Sequence, residues 1–488
     1  MNKNNYIRLF GWLALFIISS CTKRFDAMNT NPNAPTVAPE TNVLGNSIYS
    51  IAGLLEGERI GMFYAGSYSG QTCYFQVGAF FEYRAAIVGG HWTTTYHTLN
   101  DLQKIIVAAE KDGDKNMQAA AITLKIFLAQ KATDLWKDMP YSQALKGDSG
   151  VIAPAYDKQQ DIYSSLLADL KKAADLFSQN SIDQLGSGDI LFNGDLTKWK
   201  KFCNSLRLRV AIRISNVDPT DATAVLTEVL THPDLYPVMG ANGDDANLIW
   251  PGVSPYPEPW YSFLVLSKRN DYAMCSTLID TLVKFNDPRL PVYAVPAVND
   301  GDYHGYIIGH PNSDFTPNSV SNIGPRFAGV AAGFSPFLRY PEVQFIKAEA
   351  YQRGLVTGNA QSAYEAGVAA SLAENGIADP TSYLARPGIS WTNSTTDLEK
   401  INLQKWIALF KESSEAWAEA RRTDVPLMTV IPSDYSGSHN RPPFRYPYPE
   451  NESQLNAANL AAHSDGIDAA SQLYWGQQMW WDTRTGVH

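Results

Sequence analysis

Cysteine is scarce in this chain: 488 residues carry 4, at positions 21, 73, 203 and 275. The last three form an odd set with no paired spacing, which excludes a disulfide framework and any cysteine-based zinc module. A single Cys73–Cys275 bridge stays open, while Cys203, on an apolar helix face, reads as a small core residue. Histidine is sparse too, with 8 scattered positions. His91 and His97 fall on different sides of one helix, so no metal cluster is expected. Positive charge is short: 39 Lys and Arg stand against 49 Asp and Glu, a formal net charge of -10. With no Lys/Arg-rich run to offset it, nucleic acid is excluded as a partner. No apolar run reaches the ~18–20 residues of a membrane-spanning helix. HExxH, GxSxG and Gly-rich phosphate-loop patterns are all missing.

Carboxylate pairs are few as well. Glycoside hydrolysis needs two carboxylates held around a cleft. Only Asp244-Asp245, in a Gly-Asn turn, and Glu342/Glu349, on a helix, merit inspection, and both read as structural. No catalytic residue is assigned. Asn242, Asp244 and Asp245 offer oxygen ligands for a structural calcium ion, but a plain turn accounts for them better, and no cofactor is expected.

What is present begins with an N-terminal export pattern. Lys3 and Arg8 give a positive start, Ile7 to Ile18 an apolar stretch of signal-peptide length, and Ile18-Ser19-Ser20-Cys21 a lipobox. Residues 1–20 therefore read as a lipoprotein signal peptide and Cys21 as the lipid attachment point. Their removal takes away two positive charges and no acid, moving the charge from -10 to -12. The stretch 21–42, rich in Pro, Asn and Thr, reads as a lipidated cysteine and extended tether.

Beyond the tether, 45% hydrophobic content supplies ample core. Apolar periodicity predicts helices from Val43 to about Met62, at 91–110, at 115–136, at 158–178 and at 195–215. The pair around Lys111-Asp112-Gly113-Asp114 makes a hairpin, and Pro140 breaks the chain after the third helix. In 195–215, Asp195 can cap the helix, and Trp199, Phe202, Cys203, Leu206, Val210 and Ile214 form one face. Arg207, Arg209 and Arg213 interrupt an otherwise apolar cylinder, so internal ion pairs are expected for them rather than a bound anion. A further hairpin at 341–372 places Ala348, Tyr351, Ala360, Tyr364 and Gly367 at tetratricopeptide-like spacing. Residues 399–423 are helical again. The fold class is mainly α: a tetratricopeptide-like solenoid of helical hairpins, right-handed, interrupted by a large irregular loop-rich insertion.

The organisation that follows is a helical part at 43–230 with an aromatic loop near 64–92, the insertion at 231–340, and C-terminal hairpins with an irregular tail at 341–488. Residues 43–488 are expected to form one compact unit. The insertion is dense in proline and glycine, leaving room for one short helix near Ser276 to Phe285. In it, IWPGVSPYPEPWY sets Trp250, Tyr256 and Trp260 among prolines. Rings on such a stiff loop can stack on a sugar face or a peptide side chain, or else pack the loop onto the solenoid. Gln71, Tyr74, Tyr83 and Arg84 in the glycine-rich segment, and Trp92 at a helix start, are the other ligand-binding candidates.

NGDLTKWKKFCNSLRLRVAIRIS resembles the signature helix of the SusD/RagB family, nutrient-binding outer-membrane lipoproteins of Bacteroidetes-type bacteria. FDAMNTNPNAPT, DLWKDMPYSQAL with PAYDKQQDIY, MCSTLIDTLVKFNDPRL, QKWIALFKESSEAWAEARRTDVP, FRYPYPENESQLN and MWWD resemble further family segments, in family order. The resemblance implies a non-catalytic lipoprotein at the outer membrane, on the cell surface. It would bind oligosaccharide or peptide as the lid of a TonB-dependent, SusC-like barrel transporter. It carries over no binding residue. A tetratricopeptide scaffold that binds other proteins is the alternative, and a lipid-anchored glycan hydrolase the least favoured.

Overall fold

In a computed structural model of the chain, the described residues are 38–59, 67–74, 85–178, 185–308, 315–428, 439–463 and 474–488. The signal peptide, Cys21, Tyr83 and Arg84 lie outside them. Helix α1 (Glu40–Arg59) leads to strand β1 (Thr72–Tyr74), and then to α2 (Ala85–Asp112) and α3 (Lys115–Trp136). Helix α2 starts within the expected loop, so Gly89 and Gly90 are helical and Trp92 lies two turns in. Glycine inside a helix costs about 1 kcal/mol against alanine. Packing of α2 against both α1 and α3 outweighs that here.

Gly113, at φ +82, turns the chain between α2 and α3. Helix α3 ends before Pro140, with Lys137 in the left-handed region at φ 72. The turn beyond it is held by Asp157, whose Oδ2 accepts from Tyr141 N and Ser142 N, both at 2.8 Å. The DLWKDMPYSQAL and PAYDKQQDIY segments thus form one capped unit.

Helices α4 (Gln159–Leu176), α5 (Leu196–Ile214) and α6 (Pro219–Thr231) follow, each packed on the one before. Asp195 caps α5 as expected, accepting from Lys198 N at 3.0 Å. The sequence reading missed α6, although Asp218 caps it and Pro219 opens it.

Strand β2 (Ala246–Ile249) pairs antiparallel with β6 (Phe334–Leu338), clamping the two ends of the loop-rich segment together. Between them, β3 (Tyr272–Met274) pairs with β1, and β4 (Ala294–Val295) with β5 (Asn322–Ile323). Helix α7 (Ser276–Lys284) fills the short helical position expected there. The DPRL turn after it is structural: Asp287 takes Arg289 Nε at 2.9 Å and the Tyr383 hydroxyl at 2.5 Å.

Helices α8 (Tyr340–Gln352) and α9 (Ala360–Glu374) form the tetratricopeptide-like hairpin, followed by α10 (Asp397–Ala408) and α11 (Ser413–Thr423). A Cβ on Gly367 would come within 2.8 Å of the Phe345 ring, so a small residue is what lets α8 and α9 touch.

The arginines of α5 knit these hairpins from inside. Arg207 pairs with Glu228 of α6. Arg209 holds Glu342 of α8 in a two-point contact and reaches Glu412 at 3.3 Å. Arg213 pairs with Glu415 and, at 2.6 Å, with Glu419, both on α11. Glu419 and Glu349 in turn share Arg422. Apart from the half-exposed Glu228, these groups are buried, so each of those charges depends on its partner for solvation. Burial alone pushes the Glu415 carboxyl up, but Arg213, Lys131 and Arg209 overcome it and hold the group well below the usual range.

Candidate functional site

The tryptophans of the proline-rich loop do not form an exposed platform. Trp250 is 3% exposed, its indole N–H donates to Ser335 Oγ at 2.7 Å, and its ring meets Tyr49 edge-on at 5.1 Å. The inward pattern of β2 explains this. Ala246 and Leu248 point into the core while Asn247 and Ile249 do not, and Trp250 continues the alternation. The ANLIW stretch carried that signal in the sequence. Trp260 is 0% exposed and packs on Phe410. It rides a helical turn capped by Glu258, which accepts from Tyr261 N and pairs with Lys411 at 2.7 Å. Prolines stiffen the loop, but these two rings pack it onto the scaffold. Only Tyr256, 46% exposed, turns outward, with its ring edge against Tyr49 at 5.5 Å.

The other candidates divide similarly. Gln71 is buried and donates to Trp406 O at 2.7 Å, a structural tie. Trp92 is buried against Tyr96, Trp136 and Tyr448, so it belongs to the core. Tyr74 pairs with Tyr272 in the β1–β3 ladder.

The carboxylate pairs are also accounted for. Asp244 is held by Lys201 Nζ at 2.8 Å, and Asp245 accepts from Tyr340 N at 2.7 Å. Burial, with Glu374 nearby, pushes the Asp245 carboxyl up to about 8, a poor state for holding calcium. Glu342 and Glu349 are bound by Arg209 and Arg422. One grouping escaped the histidine count: exposed ligand atoms of Asp300, Asp302 and His304 lie within 4.8 Å of one another.

Sequence reading also missed a groove of about 360 Å³ in the loop-rich segment. Leu264, Val265, Tyr272, Val295, Ile323 and Pro325 supply its apolar lining. Asn270 and Asn322 add amide groups to this apolar lining. Arg269 lies at the wall, its guanidinium 4.9 Å over the Tyr272 ring and paired with Asp271 at 2.6 Å. The two-residue ladder β4–β5 and the bond from Met274 N to Ser321 O at 3.0 Å hold the lining strands in place. Apolar walls with a few amides suit a neutral polyhydroxylated ligand, which offers C–H faces and hydroxyls together. The lining strands span only two or three residues, too few to show periodicity in sequence.

Comparison with known proteins places this arrangement. No curated protein sequence matches the chain. A solved chitin-binding protein is 27% identical, with a TM-score of 0.78 over 91% of this chain and 100% of that one. A chitin-binding SusD homolog from Flavobacterium johnsoniae is 23% identical, with TM-score 0.78 over 91% and 99% of the two chains. A SusD homolog from Bacteroides uniformis ATCC 8492 gives the same TM-score of 0.78 at 23% identity, covering 91% of this chain and 99% of its own. Residues 32–449 match a SusD-like family described as starch-binding and associating with the outer membrane. The chain belongs to the SusD-like family.

Proposed function

We propose that this chain is a non-catalytic, lipid-anchored surface receptor that binds oligosaccharide and delivers it to a TonB-dependent, SusC-like outer-membrane transporter. The observation that carries the reading is an amide- and apolar-lined groove in a chain that superposes over 91% of its length on a chitin-binding protein. The carboxylates inspected for hydrolysis are each engaged by a cation or a backbone donor, which favours binding over turnover. Tyr256, exposed beside the same segment, and Tyr74, Tyr83 and Arg84 are the proposed additional contacts. Cys21 is the proposed anchor.

Calorimetric titration of the soluble chain with chito- and malto-oligosaccharides, and with a peptide library, tests the reading. Saturable glycan binding without product formation is expected. Asn270→Ala and Asn322→Ala should each weaken it by about 0.5–1.5 kcal/mol. Binding of peptides alone would replace the ligand class, and glycan cleavage would sink the receptor reading.

A further inference from the structure

We propose that Cys73 and Cys275 are a disulfide site, closing β1 covalently onto β3 beside the groove. The inference rests on the exported location proposed above for its oxidising surroundings. Cys203 stands apart on α5, its thiol donating to Leu170 O. Cys73 and Cys275 do not stand apart. The antiparallel register sets Cys73 opposite Ala273, and Cys275 N donates to Gln71 O at 2.9 Å. The pairing therefore runs on to Cys275, which makes the two cysteines diagonal neighbours. Side chains alternate along a strand, so both lie on one face of the ladder. Both are free thiols in this structure, and the Cys73 thiol donates to Ala273 O, the residue two before Cys275, at 3.6 Å. Both residues are 0% exposed.

Burial sets the order of events. It pushes the Cys275 thiol well above its ordinary range, with the neighbouring Cys73 thiol adding to the effect, and the full burial of both residues keeps a carrier from reaching either once the fold has closed. Oxidation therefore precedes closure of β1 onto β3. While the strands are still open, one thiolate attacks a disulfide on a carrier of the thiol–disulfide exchange class, forming a mixed disulfide. The second thiolate then displaces the carrier. One protein S–S bond forms and one carrier S–S bond breaks, and the two electrons and two protons end on the carrier as a dithiol. The product ties the segment leading toward Tyr83 and Arg84 to Tyr272, which stands directly opposite Tyr74 and lines the groove.

The test uses the mature full-length chain. Protein recovered from the cell envelope without reductant is unfolded in iodoacetamide and digested. A second sample is reduced, unfolded and refolded with oxidised glutathione before the same treatment. A peptide linking Cys73 to Cys275, with Cys203 alkylated, is expected in both, and Cys203→Ala should leave that peptide unchanged. Linkage only in the refolded sample supports the site and counts against the exported location. Alkylation of both Cys73 and Cys275 in both samples overturns the proposal. The variant Cys73→Ala/Cys275→Ala should melt with reduced wild type, roughly 5 °C below the oxidised form. A double variant that melts with the oxidised form also overturns it.

Discussion

Trp260 is sealed against Phe410 with the Lys411 ammonium 5.0 Å over its ring, so truncating it opens a cavity in the core. Trp260→Ala should lose about 3–5 kcal/mol in denaturant unfolding. Tyr256→Ala, on a side chain 46% exposed, should lose far less stability and act mainly on ligand affinity. Equal destabilisation by both would mean that Tyr256 is also packing. Asp245 gives a residue-level test in pH. Its folded carboxyl sits at about 8 and its unfolded one near the ordinary 3.8 of a free aspartate. Between these values the folded state holds a proton that the unfolded state has lost, so this group's contribution to stability falls as pH rises. The slope is about 1.4 kcal/mol per pH unit in that window. Asp245→Asn keeps an acceptor for Tyr340 N and removes the titration. Its melting temperature should exceed wild type by a margin that grows from pH 6 to pH 9, and a constant margin would refute the assignment.

At the scale of elements, α5 is held by ion pairs, and those of Arg209 and Arg213 are buried. Removing one partner strands a buried charge, which costs more than the pair contributes. Glu415→Gln leaves Arg213 and Lys131 short of a counter-charge and should destabilise the chain by about 3–5 kcal/mol in urea unfolding. Near-wild-type stability would show that Glu419 and Asp134 suffice. The sequence displayed this element well. Asp195, the step-three-and-four face from Trp199 to Ile214, and three arginines in an apolar cylinder predicted a capped, buried, ion-paired helix. Helix α3 was read to the residue because its apolar pattern runs unbroken between Gly113 and the break before Pro140. The loop-rich segment was harder to read. Its strands are two to five residues long, and the partner of β3 is β1, some 200 residues away in sequence. The sequence leaves Trp250 and Trp260 open between a ligand platform and loop packing, because proline density says that a loop is stiff, not which way its rings turn. That direction is set by Ser335 and Phe410, which only the folded chain brings near.

The whole molecule raises the question of transport. Among the described residues no helix is long and apolar enough to cross a membrane, and the proposed function assigns the inward step to the barrel transporter. The proposed anchor keeps the receptor at the surface: acyl chains on Cys21 bury CH₂ groups at ~0.8 kcal/mol each. Cys21→Ala should therefore abolish labelling by a clickable fatty acid, and undiminished label would remove the anchor from the account. The anchor also raises the local concentration of a lid tethered next to its transporter, so that moderate contacts suffice to keep the two together. A complex that survives extraction needs more, a face of well over ~2,000 Å². Mild detergent should then extract the chain together with a predominantly β outer-membrane protein, identified by circular dichroism and mass spectrometry. The Cys21→Ala chain should lose that co-extraction, while its purified soluble form keeps its glycan affinity, because the groove lies far along the chain from the anchor. Extraction as a lone monomer in several mild detergents, with no barrel cross-linked in intact cells, would separate the binding activity from the transport role and leave only the first standing.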